Sequence, residues 1–186
     1  MNRTSGFTLI ELVVVIVILG ILSASAAPKF MSLQSDARLS AIQGLVASIK
    51  SSVNMSYSKA VIQGLEKQPK GKFICVNGGK TADGNSCSNA NDKVVLSYGR
   101  PSADLNSGIL NALDINLSSD LNVDSDWYAK VRDSSTPASI YIWPKGTIEP
   151  YETSEGVYGC AIYYTEAYTS GDIVYNPTIT IFDYDC

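Results

Sequence analysis

Four cysteines and one carboxylate in an apolar segment are the residues whose type and spacing could do chemistry here. The 186 residues include no histidine, which excludes Ser-His and Cys-His nucleophile pairs, histidine metal sites and histidine proton shuttles. The spacing of Cys75, Cys87, Cys160 and Cys186 does not match redox motifs or zinc sites. With no recognisable nucleophile motif or phosphate-binding loop, the sequence indicates a protein that is not an enzyme and uses no cofactor.

Glu11 is the one acidic residue of an otherwise apolar N-terminal segment. Leu12–Leu22 is apolar throughout except for Gly20, and a carboxylate inside a membrane-spanning helix is costly unless it has a partner. Three interpretations are open: a signal peptide cleaved at Ala24-Ser25-Ala26, an uncleaved anchor over residues 7–27, or a segment that supplies Glu11 with a partner. The first two leave the carboxylate unexplained.

The third interpretation rests on the run Gly6-Phe7-Thr8-Leu9-Ile10-Glu11, with Arg3 before it and the apolar run after it. This run resembles the type IV prepilin motif. The resemblance implies that a prepilin peptidase cuts after Gly6 and that the new N-terminal Phe7 is N-methylated. It also implies that Glu11 neutralises the N-terminal amine of a neighbouring subunit as a filament grows, because opposite charges attract strongly away from water.

Residues 7–38 are most similar to the mannose-sensitive haemagglutinin (MSHA) class of type IV pilins. The resemblance implies an α+β fold, in which a long N-terminal helix with a protruding hydrophobic half packs on a small antiparallel sheet. In related pilins the stretch between residues matching Gly20 and Pro28 extends or melts on assembly. We therefore expect helix flexibility at these two positions, because glycine loosens a helix and proline removes a hydrogen-bond donor.

Hydrophobic periodicity divides the expected helix, which spans residues 7–58 after a leader peptide at 1–6. Residues 7–27 are apolar all round and are expected to lie in a membrane or filament core. Residues 28–58 are amphipathic, because five apolar residues recur at helical spacing. This stripe, which should pack on the globular domain, comprises Ile42, Leu45, Val46, Ile49 and Val53.

Residues 59–186 are expected to form the globular β-sheet domain, which opens with a turn-rich loop over 59–95. A short helix is predicted at Asn106–Leu113. Runs of β-branched and aromatic residues predict the strands, which are Lys72–Val76, Lys93–Tyr98, Trp127–Val131, Ser139–Trp143, Tyr158–Tyr164 and Pro177–Phe182.

An even number of cysteines in an exported protein suggests disulfides, and four cysteines allow three connectivities. The pairing that is local in sequence joins Cys75 to Cys87 and Cys160 to Cys186. The second pair resembles the disulfide-bounded C-terminal region of pilins, here 160–186, which is a variable surface region that often carries receptor binding. Exposed tyrosines in this region would suit sugar or surface binding, but the sequence does not identify which ones are exposed.

Residues 120–126 resemble the start of a calcium loop, although Ser125 and Val131 replace its usual Gly and Glu. A solvated Asp/Asn loop is therefore expected. The alternative is a weak calcium site near Asp120, Asn122, Asp124 and Asp126.

Charge is segregated along the chain, with 10 basic and 4 acidic residues in 28–100 against 3 basic and 13 acidic residues in 101–186. Opposite charges on two halves can attract copies of the chain head to tail, and the alternative is two solvated surfaces that differ in charge without contacting each other. The net charge of −4 gives no support to nucleic-acid binding.

The resemblance implies a structural subunit of a type IV pilus. It would begin as an inner-membrane precursor, use inner-membrane assembly machinery and a secretin, and end as an extracellular homopolymer. It would attach to host or environmental surfaces, cells or polysaccharides. Two alternatives remain: a pseudopilin of a type II secretion system, and a secreted carbohydrate-binding domain behind a conventional signal peptide.

Overall fold

The computed structural model describes residues 8–77, 79, 86–132 and 137–186. The chain divides into two compact units, Met1–Arg38 and Leu39–Cys186. In the first unit the described residues are helical from Leu9 onward. The second unit contains the rest of the same helix and the strands described below.

Helix α1 spans Leu9–Ile62 and ends four residues beyond the predicted end at residue 58. Gly64 takes a positive φ of 67°, and its N–H donates to the carbonyl of Val61 while the N–H of Leu65 donates to that of Ala60. This is a Schellman motif, which satisfies the last carbonyls of a helix. The helix therefore stops where the chain supplies a glycine that accepts the left-handed conformation.

The strands of the described residues are β1 Lys72–Cys75, β2 Lys93–Ser97, β3 Arg100–Pro101, β4 Leu117–Ser118, β5 Trp127–Val131, β6 Ser139–Pro144, β7 Tyr151–Thr153, β8 Gly156–Tyr158, β9 Cys160–Thr165, β10 Tyr168–Ser170, β11 Ile173–Tyr175 and β12 Thr178–Asp183. They form one five-stranded sheet and three smaller sheets. The five-stranded sheet has the order β12-β9-β6-β5-β4 and is antiparallel except for the β4–β5 pair. A second sheet joins β1, β2 and β3, and two hairpins pair β7 with β8 and β10 with β11.

Two predicted elements were wrong in detail. The predicted strand Tyr158–Tyr164 is interrupted at Gly159, where φ is 123° and a Cβ atom would lie 3.0 Å from the backbone of Pro150. The chain turns there, so β8 joins β7 in a hairpin and β9 joins the central sheet. The predicted helix Asn106–Leu113 is reduced to a 3-10 helix at Ile109–Ala112.

The main core lies between α1 and one face of the five-stranded sheet. The predicted stripe is confirmed, because all five of its apolar residues are buried there against the sheet. The sheet contributes Ile140, Ile142, Ile162 and Tyr164, each fully buried. The opposite face buries Tyr141, Trp143 and Ala161, with Val157 of β8 packed against them. The fold is thus α+β, with a helix covering one sheet face and the β7–β8 hairpin contributing to the other.

Candidate functional site: the N-terminal helix and the C-terminal surface

Thr8 and Glu11 close the first turn of α1. The backbone N–H and the hydroxyl of Thr8 each donate to a Glu11 carboxylate oxygen at 2.8 Å, and the N–H of Glu11 lies 3.4 Å from the Thr8 hydroxyl. This is a capping box, which the Thr-x-x-Glu spacing indicates but which our sequence analysis overlooked. A single copy of the chain therefore holds Glu11 with the backbone and hydroxyl of its own Thr8. The predicted cleavage and methylation residues, Gly6 and Phe7, lie outside the described residues.

The helix that follows exposes its apolar residues. Every large apolar side chain from Leu9 to Leu22 is exposed. Within the described part of the chain, Leu9–Ala27 is the one helical stretch long and apolar enough to cross a membrane. Exposure of this apolar surface to water costs free energy, which favours its cover by a membrane or by other helices.

The two residues expected to loosen α1 both lie within its continuous length. Apart from the adjoining backbone of the helix itself, no atoms lie within 4 Å of the position that a Cβ of Gly20 would occupy. Pro28 has no N–H, so the carbonyl of Ala24 lacks its usual helical donor. A change of the Gly20–Pro28 stretch on assembly stays a prediction.

Both disulfides of the structure are local in sequence. One joins Cys75 to Cys87, and the other joins Cys160 to Cys186. Cys160 opens β9 and is fully buried. The second bond therefore attaches the C-terminal end of the described chain to the central sheet.

Tyr163 and Tyr164 face opposite sides of β9, as alternation along a strand requires. Tyr164 is fully buried, and its hydroxyl donates to the carbonyl of Pro101 at 2.5 Å. Burial, with a smaller contribution from the charge of Glu166, raises the pKa of Tyr164 above its ordinary value. On the other side, the Tyr163 hydroxyl accepts a hydrogen bond from Arg132 at 2.8 Å.

A polar cluster that sequence analysis missed holds the β7–β8 hairpin against the sheet. The carboxylate of Glu152 in β7 forms an ion pair with the Arg132 Nε at 2.7 Å and accepts a hydrogen bond from the Tyr141 hydroxyl at 2.5 Å. Burial first, and then the hydrogen bond to Glu152, raise the pKa of Tyr141. No spacing in the sequence signals this cluster, because its members come from three separate segments.

A second missed cluster connects three other segments around Glu166, a buried carboxylate. Lys70 Nζ lies 3.0 Å from Glu166 and 2.8 Å from Asp104, and the N–H of Ala103 donates to Glu166 at 2.9 Å. Burial alone would lower the pKa of Lys70, but the hydrogen bonds and charges of Asp104 and Glu166 outweigh it and raise that pKa. The cluster is a structural ion network with its donors and acceptors matched.

In the acidic loop at 120–126, the carboxylates of Asp120 and Asp124 have partners within the protein. Asp120 accepts hydrogen bonds from the backbone and side chain of Asn122 at 2.9 and 2.8 Å, and these bonds lower the pKa of Asp120. Asp124 pairs with Lys145. Among the described residues, no three His, Cys, Asp or Glu side chains lie close enough together to hold a metal. The calcium site stays a prediction.

The structure identifies which tyrosines are exposed. Tyr151 and Tyr158 stack across the β7–β8 hairpin with ring centroids 5.6 Å apart, and the exposed Tyr184 meets Tyr158 edge-on at 4.8 Å. In the β10–β11 hairpin, Tyr175 is exposed and stacks on Tyr168 at 5.0 Å. The C-terminal surface therefore carries two groups of tyrosine rings.

Comparisons with known proteins place the motif of residues 1–27 in a family. That stretch matches the family model described as the prokaryotic N-terminal methylation motif. The chain is 43% identical over 61 residues to a type IV narrow pilus major component of Thermus thermophilus, covering 33% of this chain and 49% of that protein. It is 45% identical over 54 residues to type II secretion system core protein G of Pseudomonas aeruginosa, covering 29% and 38%.

These matches cover half or less of each relative's length. No solved structure matches the chain. The comparisons therefore connect the chain to both pilins and pseudopilins through the N-terminal motif, and they do not single out the MSHA class.

Proposed function

We propose that this protein is a structural subunit of a type IV pilus, which polymerises through its N-terminal helix and has no catalytic activity. The observation that carries the proposal is the methylation motif at residues 1–27 joined to a helix whose apolar side chains, Leu9 to Leu22, are all exposed. A prepilin peptidase would cut after Gly6 and methylate Phe7. The helix would be held in the inner membrane first and among other subunits later.

Glu11 has the central role in assembly under this proposal. Before assembly its carboxylate is held by Thr8. During assembly the N-terminal amine of a neighbouring Phe7 would provide the opposite charge. Because unlike charges attract strongly in apolar surroundings, this exchange would set the register between subunits.

A pseudopilin of a type II secretion system is the second candidate, supported by the similarity to core protein G of Pseudomonas aeruginosa. The same N-terminal segment would serve both functions. The pilus is favoured by the size of the C-terminal domain and by its two disulfides. Electron microscopy separates the candidates, because a pilin gives long filaments that can be sheared from cells and a pseudopilin gives a short periplasmic assembly.

The decisive experiment is the N-terminal sequence and intact mass of the protein sheared from producing cells. We expect a chain that begins at N-methylated Phe7. A start at Ala27 would overturn the proposal and favour a secreted domain behind a signal peptide.

Glu11→Gln provides the matched test of assembly. This variant should be processed normally but should give at least about tenfold fewer filaments, because the neighbouring amine loses its charge partner. Glu155→Gln removes an exposed carboxylate elsewhere and should leave filament yield unchanged. Equal yields from both variants would contradict the role of Glu11.

We further propose that the filament attaches to surfaces, cells or polysaccharides, as the resemblance to the MSHA class implies. The β10–β11 hairpin supports it, because Ile173, Val174 and Tyr175 are all exposed there and aromatic rings with a polar end suit wet contact surfaces. Filaments with Tyr175→Ser should be retained less on polysaccharide beads than wild-type filaments. Thr153→Ser, an exposed change on another hairpin, is the control.

A further inference from the structure

An open groove of about 260 Å³ lies between α1 and the beginning of β12. Its lining consists of Lys50, Val53, Asn54, Pro177 and Ile179. Val53 is buried and Ile179 is half-buried, whereas Lys50 and Asn54 are exposed. The groove thus has an apolar floor and one cationic side chain, and it is large enough for an aromatic ring, since a cavity of about 150 Å³ holds benzene.

The end of β12 carries an exposed aromatic ring and negative charges, which complement the apolar floor and the cation of the groove. Tyr184 is 54% exposed, and its ring is supported by Tyr158 at 4.8 Å. Asp183 and Asp185 flank it and are both exposed. We call Asp183-Tyr184-Asp185 the acidic corner: it is an exposed aromatic anchor between two carboxylates.

The groove and the acidic corner lie at opposite ends of one strand. Ile179 near the start of β12 and Asp183 at its end are about 13 Å apart along an extended strand. A surface at one end that fits a different surface at the other end makes a heterologous contact, which builds an open filament unless the rotation between copies closes a ring. A filament is built from contacts of this kind.

We propose that the acidic corner of one copy docks into the Lys50 groove of the next copy in the filament, with Tyr184 against the apolar floor and Asp185 paired with Lys50. This contact rests on the proposed function, because it presumes that copies assemble in line. The occupant of the groove is then a second copy of this chain, because the charges of Lys50 and Asp185 are complementary. The wider charge pattern agrees, since residues 28–100 are net +6 and residues 101–186 are net −10.

A charge swap in the full-length chain tests the contact. Lys50→Glu and Asp185→Lys should each lower the yield of sheared filaments roughly fivefold at low salt, because each places like charges together. The double variant Lys50→Glu/Asp185→Lys restores an opposite-charge pair and should return the yield to within about twofold of wild type. Lys67→Glu and Asp114→Lys make the same charge changes at other exposed positions and should have no effect.

Variants of Tyr184 test the docking contact independently of the charge swap. Tyr184→Ala should lower filament yield, whereas Tyr184→Phe keeps the ring and should behave like wild type. Folding of every variant is checked by its thermal unfolding in detergent, so that a misfolded chain is not taken for a docking defect.

The experiment distinguishes a failure of the docking contact from a failure of the proposed function. If wild-type filaments form but the single swaps match their controls, or the double swap is no better than the single ones, the docking contact is overturned while the pilus assignment stands. If wild-type chains never form filaments, the proposed function fails. The same variants are then compared by sedimentation of the detergent-solubilised chain, where equal association of all of them overturns the contact.

Discussion

At the scale of single residues, the fold depends on a few close approaches that sequence patterns do not display. Gly108, which precedes the 3-10 helix Ile109–Ala112, is the clearest. A Cβ there would lie 2.2 Å from the carbonyl oxygen of Ser102 and 2.6 Å from that of Asp104. The neighbouring backbone therefore leaves no room for a side chain at this position.

We predict that Gly108→Ala lowers the free energy of unfolding by about 3 kcal/mol or more, because backbone atoms cannot yield as a flexible side chain can. Gly44→Ala is the matched control. Gly44 lies within α1 and, apart from the adjoining backbone of the helix itself, has no atoms within 4 Å of its Cβ position, so alanine should be neutral or stabilise by up to about 1 kcal/mol. Urea unfolding of both variants checks this, and a Gly108→Ala protein as stable as Gly44→Ala would contradict the close packing.

The buried Tyr164 predicts a loss of stability in alkali. Burial raises its pKa in the folded state, whereas in the unfolded chain it titrates near 10. The stability that the folded protein gains by keeping Tyr164 protonated is therefore complete below pH 10. It is lost as the pH rises from there through the pKa of Tyr164 in the folded state. One such group lowers the free energy of unfolding by about 1.4 kcal/mol per pH unit in that window.

Urea midpoints at pH 8 and pH 11 measure this effect. The difference between the two midpoints should shrink in Tyr164→Phe, because that variant has no proton to lose at this site. Tyr175→Phe alters an exposed ring and should keep the wild-type difference. A Tyr164→Phe protein with an unchanged difference would show that this group does not govern alkaline stability.

At the scale of elements, the C-terminal strand is held by a covalent bond and by β9. β12 pairs with β9 along its whole length, from Thr178 opposite Thr165 to Asp183 opposite Cys160. It is the edge of its sheet, so it has a neighbouring strand on one side. The disulfide from Cys160 to Cys186 closes this pair just beyond its last register position.

We predict that the double change Cys160→Ala/Cys186→Ser lowers the free energy of unfolding by about 2–5 kcal/mol, because the unfolded chain gains freedom when the loop opens. It should also speed hydrogen exchange in β12 more than in β5. Cys75→Ser/Cys87→Ser removes the other disulfide and serves as the control, since it should leave exchange in β12 unchanged. Slow exchange in β12 without the Cys160–Cys186 bond would show that strand pairing suffices.

At the scale of the whole molecule, the chain combines one stretch suited to apolar surroundings with a domain suited to water. The large apolar side chains of Leu9–Leu22 are exposed, whereas the second unit, Leu39–Cys186, buries its own apolar residues. Such a chain cannot remain alone in water without covering the first stretch.

We predict that the newly made chain stays in the membrane pellet after alkaline carbonate extraction. Val14→Lys/Ile18→Lys places two cations on one helix face and should move most of the chain to the soluble or aggregated fraction, because each charge at the centre of a spanning helix costs about 2.5–3.5 kcal/mol. Val14→Leu/Ile18→Leu should remain in the pellet. A wild-type chain released by carbonate would contradict a spanning segment.

The sequence by itself determined the helix, its two-part character and the motif at its start. These features are local: the apolar run, the five-residue stripe and the Gly6–Glu11 motif each depend on residues within a few turns. It also indicated most strands of the central sheet, because alternating β-branched and aromatic residues mark a half-buried strand wherever it pairs.

Only the tertiary structure decided which residues from distant segments meet. Arg132, Tyr141 and Glu152 converge on one cluster, and Lys70 reaches Glu166 across 96 positions of the chain. The break of the predicted Tyr158–Tyr164 strand at Gly159 follows from the approach of Pro150. Long-range pairing and close packing leave no periodic trace in a sequence, because they depend on the relative placement of elements rather than on the order of residues within them.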